Sequence, residues 1–224
     1  MKQKKTKFFK RPKSFLSDQD IPGKNYRKEP KESIVEIVKE DILRIVGEER
    51  SKKVRLKFIK SKIKASSSFI SESIRELKRD GLIRLDKKFL RLTEKGRDEA
   101  EYIIKKHSVL EEYFKKKRGG EEAHKAADIL EHYVSVEVLN NIKKLSTFKG
   151  EDLPLLKFEL NREDLITDIE FPSSGLFERI VSMGILPGEK IRIVNKIPDG
   201  IVVNVSGKKF ALGEDIARGI RVLG

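Results

Sequence analysis

Residues 124–132 read HKAADILEH, and residues 107–111 read HSVLE. These two stretches hold all three histidines of a 224-residue chain. On a helix, positions three or four apart share a face. His107 therefore lies beside Glu111, and His124, Asp128, Glu131 and His132 follow one another at i, i+4, i+7 and i+8 on a single stripe. Imidazole nitrogen with carboxylate oxygen and no thiolate is a ligand set for a hard or borderline divalent ion such as Mn²⁺, Fe²⁺ or Zn²⁺. One Glu–His pair at this spacing arises by chance on any helix rich in Glu and Lys. Three histidines within one 26-residue window, each with an acid on its own face, point to a bound cation.

The elements that must position these groups follow from composition and periodicity. Charged residues make up 38% of the chain and hydrophobic ones 38%, so small modules with much surface fit better than one large core. The net charge of +14 favours a polyanionic partner, with nucleic acid ahead of a membrane surface. With no cysteine, there is neither a disulfide framework nor a thiolate metal site, which suits a reducing cytoplasm. The opening MKQKKTKFFKRPKSFL scatters its apolar residues among lysines and lacks the apolar block of a secretory signal. No apolar run is long enough to cross a bilayer. Residues 1–30, including Phe8, Phe9 and Phe15, read as a basic flexible tail.

From Glu32 onward Ile34, Val38, Ile42, Ile45 and Val46 mark one face of a first helix, which Gly47 ends. VRLKFIKSKIK gives a short second helix with Val54, Phe58, Ile59 and Ile63 on one side. ASSSFISESIRELKRDG opens with three serines, good N-caps, and stops at Asp80-Gly81, where glycine suits a left-handed C-terminal cap. LIRLDKKFLRL alternates around DKK as a small hairpin. Helix, short helix, serine-capped helix and basic hairpin make a winged helix-turn-helix over 31–98. In such a domain the start of the third helix faces base edges and basic side chains meet phosphate. Ser66, Ser68, Ser71 and Glu72 are the candidate base-reading residues, and Arg75, Arg79, Lys87 and Lys88 the candidate phosphate contacts.

Residues 99–147 are again helical, broken at Gly119-Gly120, with a bend expected near Ser135. Their apolar residues, among them Ile103, Ile104, Leu110, Phe114, Ile129, Tyr133, Val136 and Leu139, exceed what two isolated helices bury. A helical dimer interface would absorb the surplus. After a linker near 146–153, LITDIEF, EKIRIVNKI, IVVNVS and FAL are short strand-like runs separated by LPG, PDG and SGKK turns, with SGLFERIVSMG as a helix between the first two. That pattern predicts a small SH3-like β-barrel over 152–224. The fold class is α+β.

HSVLEEYF and HKAADILEH, following a winged helix-turn-helix that ends RDGLIRLDKKFLRLTEKG, resemble the iron-dependent repressor family of the diphtheria-toxin-repressor and manganese-transport-regulator type. LFERIVSMGILPGEKIRIV, GIVVNVSGKKFAL and IARGIRV resemble the ferrous-iron-transport-A-like SH3 domain that closes many members. The resemblance implies a cytoplasmic homodimer that binds a palindromic operator in double-stranded DNA when loaded with Mn²⁺ or Fe²⁺, and represses metal-uptake genes. Zn²⁺ is a further candidate. Carried over by position, one metal site would use His107, Glu111 and His124, and a second Asp128, Glu131 and His132 with a residue of the first helix. Asp128 stands where iron-sensing relatives have cysteine, and a harder oxygen ligand tilts that site toward Mn²⁺. The first-helix position aligns with Ile37, which cannot ligate. Glu40, one turn on, matches a carboxylate of manganese-sensing members, and Glu36 is nearby. Ser173 and Leu176 stand where some relatives place SH3-domain ligands.

The competing readings are weaker on the residues. A metallohydrolase would need an open coordination position and a general base, and Walker-type and zincin motifs are absent. The chain is therefore read as a regulator and not an enzyme. A metal-independent DNA-binding protein with a degenerate metal site is the alternative, with Ile37 and Leu176 in its support.

Overall fold

The computed structural model describes residues 31–49, 53–171 and 173–224. The basic segment expected over 1–30, with its three phenylalanines, lies outside the described residues. The N-terminal unit contains α1 (Lys31–Glu48), β1 (Val54–Arg55), α2 (Leu56–Lys62), α3 (Ser67–Arg79), β2 (Ile83–Asp86) and β3 (Phe89–Leu92). Ser66 caps α3, its Oγ accepting the Phe69 N–H at 3.4 Å. The helix stops at Asp80, followed by Gly81 at φ +71°, as the Asp-Gly signal predicts. β2 and β3 pair from Ile83↔Leu92 to Asp86↔Phe89, which leaves Lys87 and Lys88 as a two-residue wing tip. Val54 differs from its expected place on the second helix. It pairs with Leu90 as an outer strand of a three-stranded sheet, since strand pairing depends on a partner 36 residues away.

Thr93 caps the long helix α4 (Glu94–Lys115), which at 22 residues is about 33 Å long. α5 (Gly120–Leu130) and α6 (Val136–Leu145) follow. The bend expected near Ser135 is a break: α5 ends at Leu130, and Ser135 caps α6 by accepting the Val138 N–H at 3.2 Å. Glu131 and His132 therefore sit in the turn after α5 rather than on its stripe.

The C-terminal unit holds β4 (Asp152–Pro154), β5 (Glu163–Ile169), α7 (Ser174–Ser182), β6 (Lys190–Ile197), β7 (Gly200–Val205), β8 (Lys208–Gly213), α8 (Glu214–Arg218) and β9 (Ile220–Leu223). Its antiparallel sheet has the order β4-β9-β5-β6-β7-β8. The SH3-like expectation takes this six-stranded form; among the described residues no pairing joins the end strands β4 and β8.

Among the described residues the apolar side chains form two cores. Val38, Ile42, Leu43, Ile59, Ile70, Leu77 and Leu90 form the core of the winged unit, to which α4 adds Ala100 and Ile103. Leu110 and Phe114, from the second half of α4, belong instead to a core that runs through α5 and α6 into Phe158, Ile166, Ile193 and Val222 of the sheet. Much of the apolar surplus assigned to a dimer interface is absorbed here. Ile103, Leu110, Phe114, Tyr133 and Leu139 are buried within the single chain, while Val136 is 42% exposed. Polar contacts cross the same seam. The Tyr113 hydroxyl donates to the Thr167 carbonyl at 2.5 Å, Lys117 meets Asp152 at 3.0 Å, and Arg118 bonds Asp168. Asn141 donates to the Gly188 carbonyl at 2.9 Å. Among the described residues, no helix is long and apolar enough to cross a membrane.

Candidate metal centre

The centre lies where α1 crosses α4 and α5. His107 occupies the middle of α4, between the half committed to the winged core and the half committed to the larger one. The residue is 5% exposed, and its Nδ1 is 2.7 Å from Glu131 Oε2. Its Nε2 lies 3.2 Å from His124 Nδ1 and 3.3 Å from Glu111 Oε2. His124 Nε2 is 3.6 Å from Asp128 Oδ2. His107, His124 and Asp128 offer ligand atoms that all lie within 4.8 Å of one another.

A second group is formed by Asp41, Glu131 and His132, again with ligand atoms within 4.8 Å. His132 presents Nδ1 to Glu40 Oε2 at 2.8 Å and Nε2 to Asp41 Oδ1 at 3.4 Å. Glu131 is fully buried and stands between the groups, reaching His107 with one oxygen and facing His132 at 3.8 Å with the other.

Electrostatics follow from this crowding. Burial alone would lower the His132 imidazole, but hydrogen bonds to Asp41 and Glu40 raise it to about 10. His107 behaves similarly: burial lowers it, and the Glu131 carboxylate outweighs that and raises it. Burial pushes Glu40 up, while His132 and Lys106 together hold it below its ordinary value.

The residues fit a divalent cation by a criterion internal to the fold. Buried carboxylates require compensation, and Glu131 Oε1, fully buried, has no hydrogen-bond partner. Three imidazoles with Glu40, Asp41, Glu111, Asp128 and Glu131 make an all-nitrogen-and-oxygen donor set suited to Mn²⁺ or Fe²⁺. All seven metal candidates of the sequence, His107, Glu111, His124, Asp128, Glu131, His132 and Glu40, meet in this region. The partition differs from the one implied by resemblance: Asp128 joins His107 and His124, and leaves the second group. Glu131 stays beside Asp128, both facing His107 Nδ1, at 2.7 and 3.7 Å, whereas His132 faces Glu40 and Asp41 of α1. Glu36 is not part of the centre; it pairs with Lys39 at 3.1 Å. Ser173 caps α7, accepting the Leu176 N–H at 3.3 Å.

Sequence reasoning missed Asp41 and two cations. Arg44 on α1 reaches Asp128 at 2.9 Å and Glu131 at 3.0 Å, and the buried Lys106 lies 3.6 Å from Glu40. Asp41 follows Glu40 directly, and adjacent helical positions do not share a face, so helical spacing gives no reason to group the two. Arg44, four residues after Glu40, reads from sequence as a local helical ion pair.

The candidate DNA-contacting residues lie together at the outer face of α3 and the wing. Ser66, Ser68, Ser71, Arg75, Arg79, Lys87 and Lys88 are exposed and Glu72 is half-buried. The Ser71 Oγ donates to the Ser67 carbonyl at 2.7 Å, so its hydroxyl proton is already used. Lys87 adopts φ +52° at the wing tip.

Residues 93–152 match the family model described as iron dependent repressor, metal binding and dimerisation domain, and residues 154–223 match that of the FeoA domain. No curated protein matches the chain. Among solved structures, a manganese-dependent transcriptional repressor complexed with manganese is 23% identical, over 83% of this chain and 99% of that one, with a TM-score of 0.44. The T. acidophilum IdeR is 19% identical, over 88% and 99%, with a TM-score of 0.38. An iron uptake regulatory protein (FeoA) is 27% identical over 32% of this chain and 96% of that one, with a TM-score of 0.30.

Proposed function

Since the chain belongs to the iron-dependent repressor family, with a FeoA domain at its C-terminal end, we propose that it is a cytoplasmic, homodimeric repressor of metal-uptake genes. In this reading it binds a palindromic operator when loaded with Mn²⁺ or Fe²⁺. Residues 31–98 act as the reading head, 99–147 as the metal-binding and dimerisation domain and 152–224 as the FeoA domain.

The observation that carries the proposal is the origin of the ligands. Glu40 and Asp41 come from α1 of the reading head, whereas His107, His124, Asp128, Glu131 and His132 come from α4, α5 and the turn after it. When bound, Mn²⁺ or Fe²⁺ would supply positive charge that accepts these oxygens and nitrogens as ligands. His132 holds Glu40 and Asp41 on opposite ring nitrogens, so it sets the seating of α1 on the helical domain. His107, held by Glu131, fixes the neighbouring group. The seating of α1 in turn sets the separation of the two α3 helices in a dimer, and hence the half-site spacing. A shift toward the DNA-competent arrangement is then as large as the difference in metal affinity between the two arrangements.

Charge distribution supports the DNA partner. Residues 31–92 carry a net +8 and residues 1–30 a net +7, whereas 93–151 are neutral and 152–224 carry −1. The basicity belongs to the reading head and the segment before it. Ser66, Ser68, Ser71 and Glu72 would face bases, and Arg75, Arg79, Lys87 and Lys88 phosphates.

A random-sequence duplex pool presented to the protein with Mn²⁺, and in parallel with EDTA at the same salt, tests this. A palindromic motif is expected in the metal arm alone. His132→Ala should abolish that enrichment without changing far-UV circular dichroism or the dimer seen by light scattering. Equal enrichment in both arms would refute the metal switch. It would favour the second reading, a metal-independent DNA binder, which the contacts of Arg44 and Lys106 with ligand carboxylates support.

A further inference from the structure

We propose that Arg44 is a built-in competitor for the metal centre, a guanidinium that bridges Asp128 and Glu131 in the metal-free protein and must yield those oxygens to an incoming ion. This rests on the metal-dependent reading above and deepens it, because it names the residue that sets the ion's affinity. Arg44 lies on α1, and its side chain is 12% exposed. It contacts Asp128 through Nη2 at 2.9 Å and faces Glu131 Oε1 through Nε at 3.0 Å, with Glu48 at 3.5 Å on the remaining nitrogen. One cation thus touches a carboxylate of each ligand group.

The quality of the two contacts differs. Arg44 bonds Asp128 in good hydrogen-bonding geometry. Toward Glu131 the atoms are close but misaligned: both Arg44 Nε and Glu131 Oε1 are buried without a hydrogen-bond partner. A misaligned pair gains Coulomb attraction but leaves its donor and acceptor directions unfilled. Glu131 is therefore neutralised without being saturated, and it retains an open lone-pair direction for a ligand. Arg44 also joins the reading head to the helical domain across the same seam as Glu40, Asp41 and His132. The metal-free protein consequently holds its reading head closed by charge, and the ion exchanges one bridge for another.

The test is isothermal titration of Mn²⁺ into metal-stripped wild type and Arg44→Met, with thermal unfolding of both in EDTA. Methionine keeps the length of the side chain and removes its charge. The proposal expects Mn²⁺ to bind Arg44→Met at least about tenfold more tightly than wild type, while the metal-free variant unfolds at a lower temperature. Uptake by the variant but not by wild type also supports the competitor role, and overturns metal dependence in the native chain. Equal or weaker binding by Arg44→Met overturns the competitor role and leaves the metal reading standing. No uptake by either protein overturns both. Should Arg44→Met fail to fold, Arg44→Lys keeps the charge but loses the fork. It should show a smaller gain of the same sign, and an unchanged or lower affinity again overturns the proposal.

Discussion

Glu40→Gln isolates the charge that fastens α1 of the winged unit to the helical domain. Glu40 is 9% exposed in its side chain and stands between His132 Nδ1 at 2.8 Å and Lys106 Nζ at 3.6 Å, themselves 8% and 6% exposed. Glutamine keeps the shape and one acceptor oxygen, but it withdraws the negative charge from two buried cations. Removing one partner of a buried ion pair costs about 3–5 kcal/mol. The loss here is smaller, because Asp41 still faces His132 at 3.4 Å and the amide oxygen still accepts. About 2–3 kcal/mol is expected. Urea unfolding of the metal-free variant in EDTA, followed by far-UV circular dichroism, would measure it; the chain has no tryptophan to report by fluorescence. Adding Lys106→Met should recover part of the loss, since the second substitution removes the stranded cation. A loss below about 0.5 kcal/mol, or a double variant less stable than Glu40→Gln by the full cost of Lys106→Met, would refute the reasoning.

Two further outcomes probe the seam between the helical and FeoA domains. At Gly188, φ is +85° and an added Cβ would lie 2.8 Å from the Val138 carbonyl oxygen, whereas Gly207 has φ +81° with open space around it. Gly188→Ala should therefore cost about 2–4 kcal/mol, and Gly207→Ala only about 1 kcal/mol for its backbone; equal losses in a urea titration would mean that α6 does not press on this turn. Asp152, though raised by burial, is held at about 2 by hydrogen bonds from Arg221 and Lys117. Its folded value lies below its unfolded one, so its stabilisation, held by solvent screening to about 1 kcal/mol, is complete above pH 4 and is lost as pH falls from 4 toward 2. The Asp152→Asn protein should lack this component of acid sensitivity in urea midpoints compared across that window.

Much of this architecture was legible because its determinants are local. Ser66 and Gly81 bracket α3, the alternation around Lys87 and Lys88 makes the wing, and Thr93 starts α4; each depends on neighbours within a few residues. The metal candidates were legible because imidazoles and acids recur at helical spacing on α4 and α5. What escaped were facts of tertiary contact. Asp41 and Arg44 gain their roles only when α1 packs on α4 beside α5 and the turn after it. Val54 becomes a strand residue only because Leu90 arrives beside it. The grouping of Asp128 with His107 and His124 likewise depends on how α4 and α5 pack, which helical spacing within one segment does not give. Part of the apolar excess of α4 to α6 is taken up by the sheet that packs on it, a contact the sequence does not reveal.

The long helix α4 has a consequence for how any signal travels. Its first half is embedded in the reading head and its second half in the body shared by the helical and FeoA domains, with no loop between them. The head cannot swing on a tether. It can only roll or flex about one rod, and His107 marks the fulcrum. Under the proposed function, control over DNA would then be a small tilt carried outward to α3, with the winged core on one side of His107 and the larger core on the other.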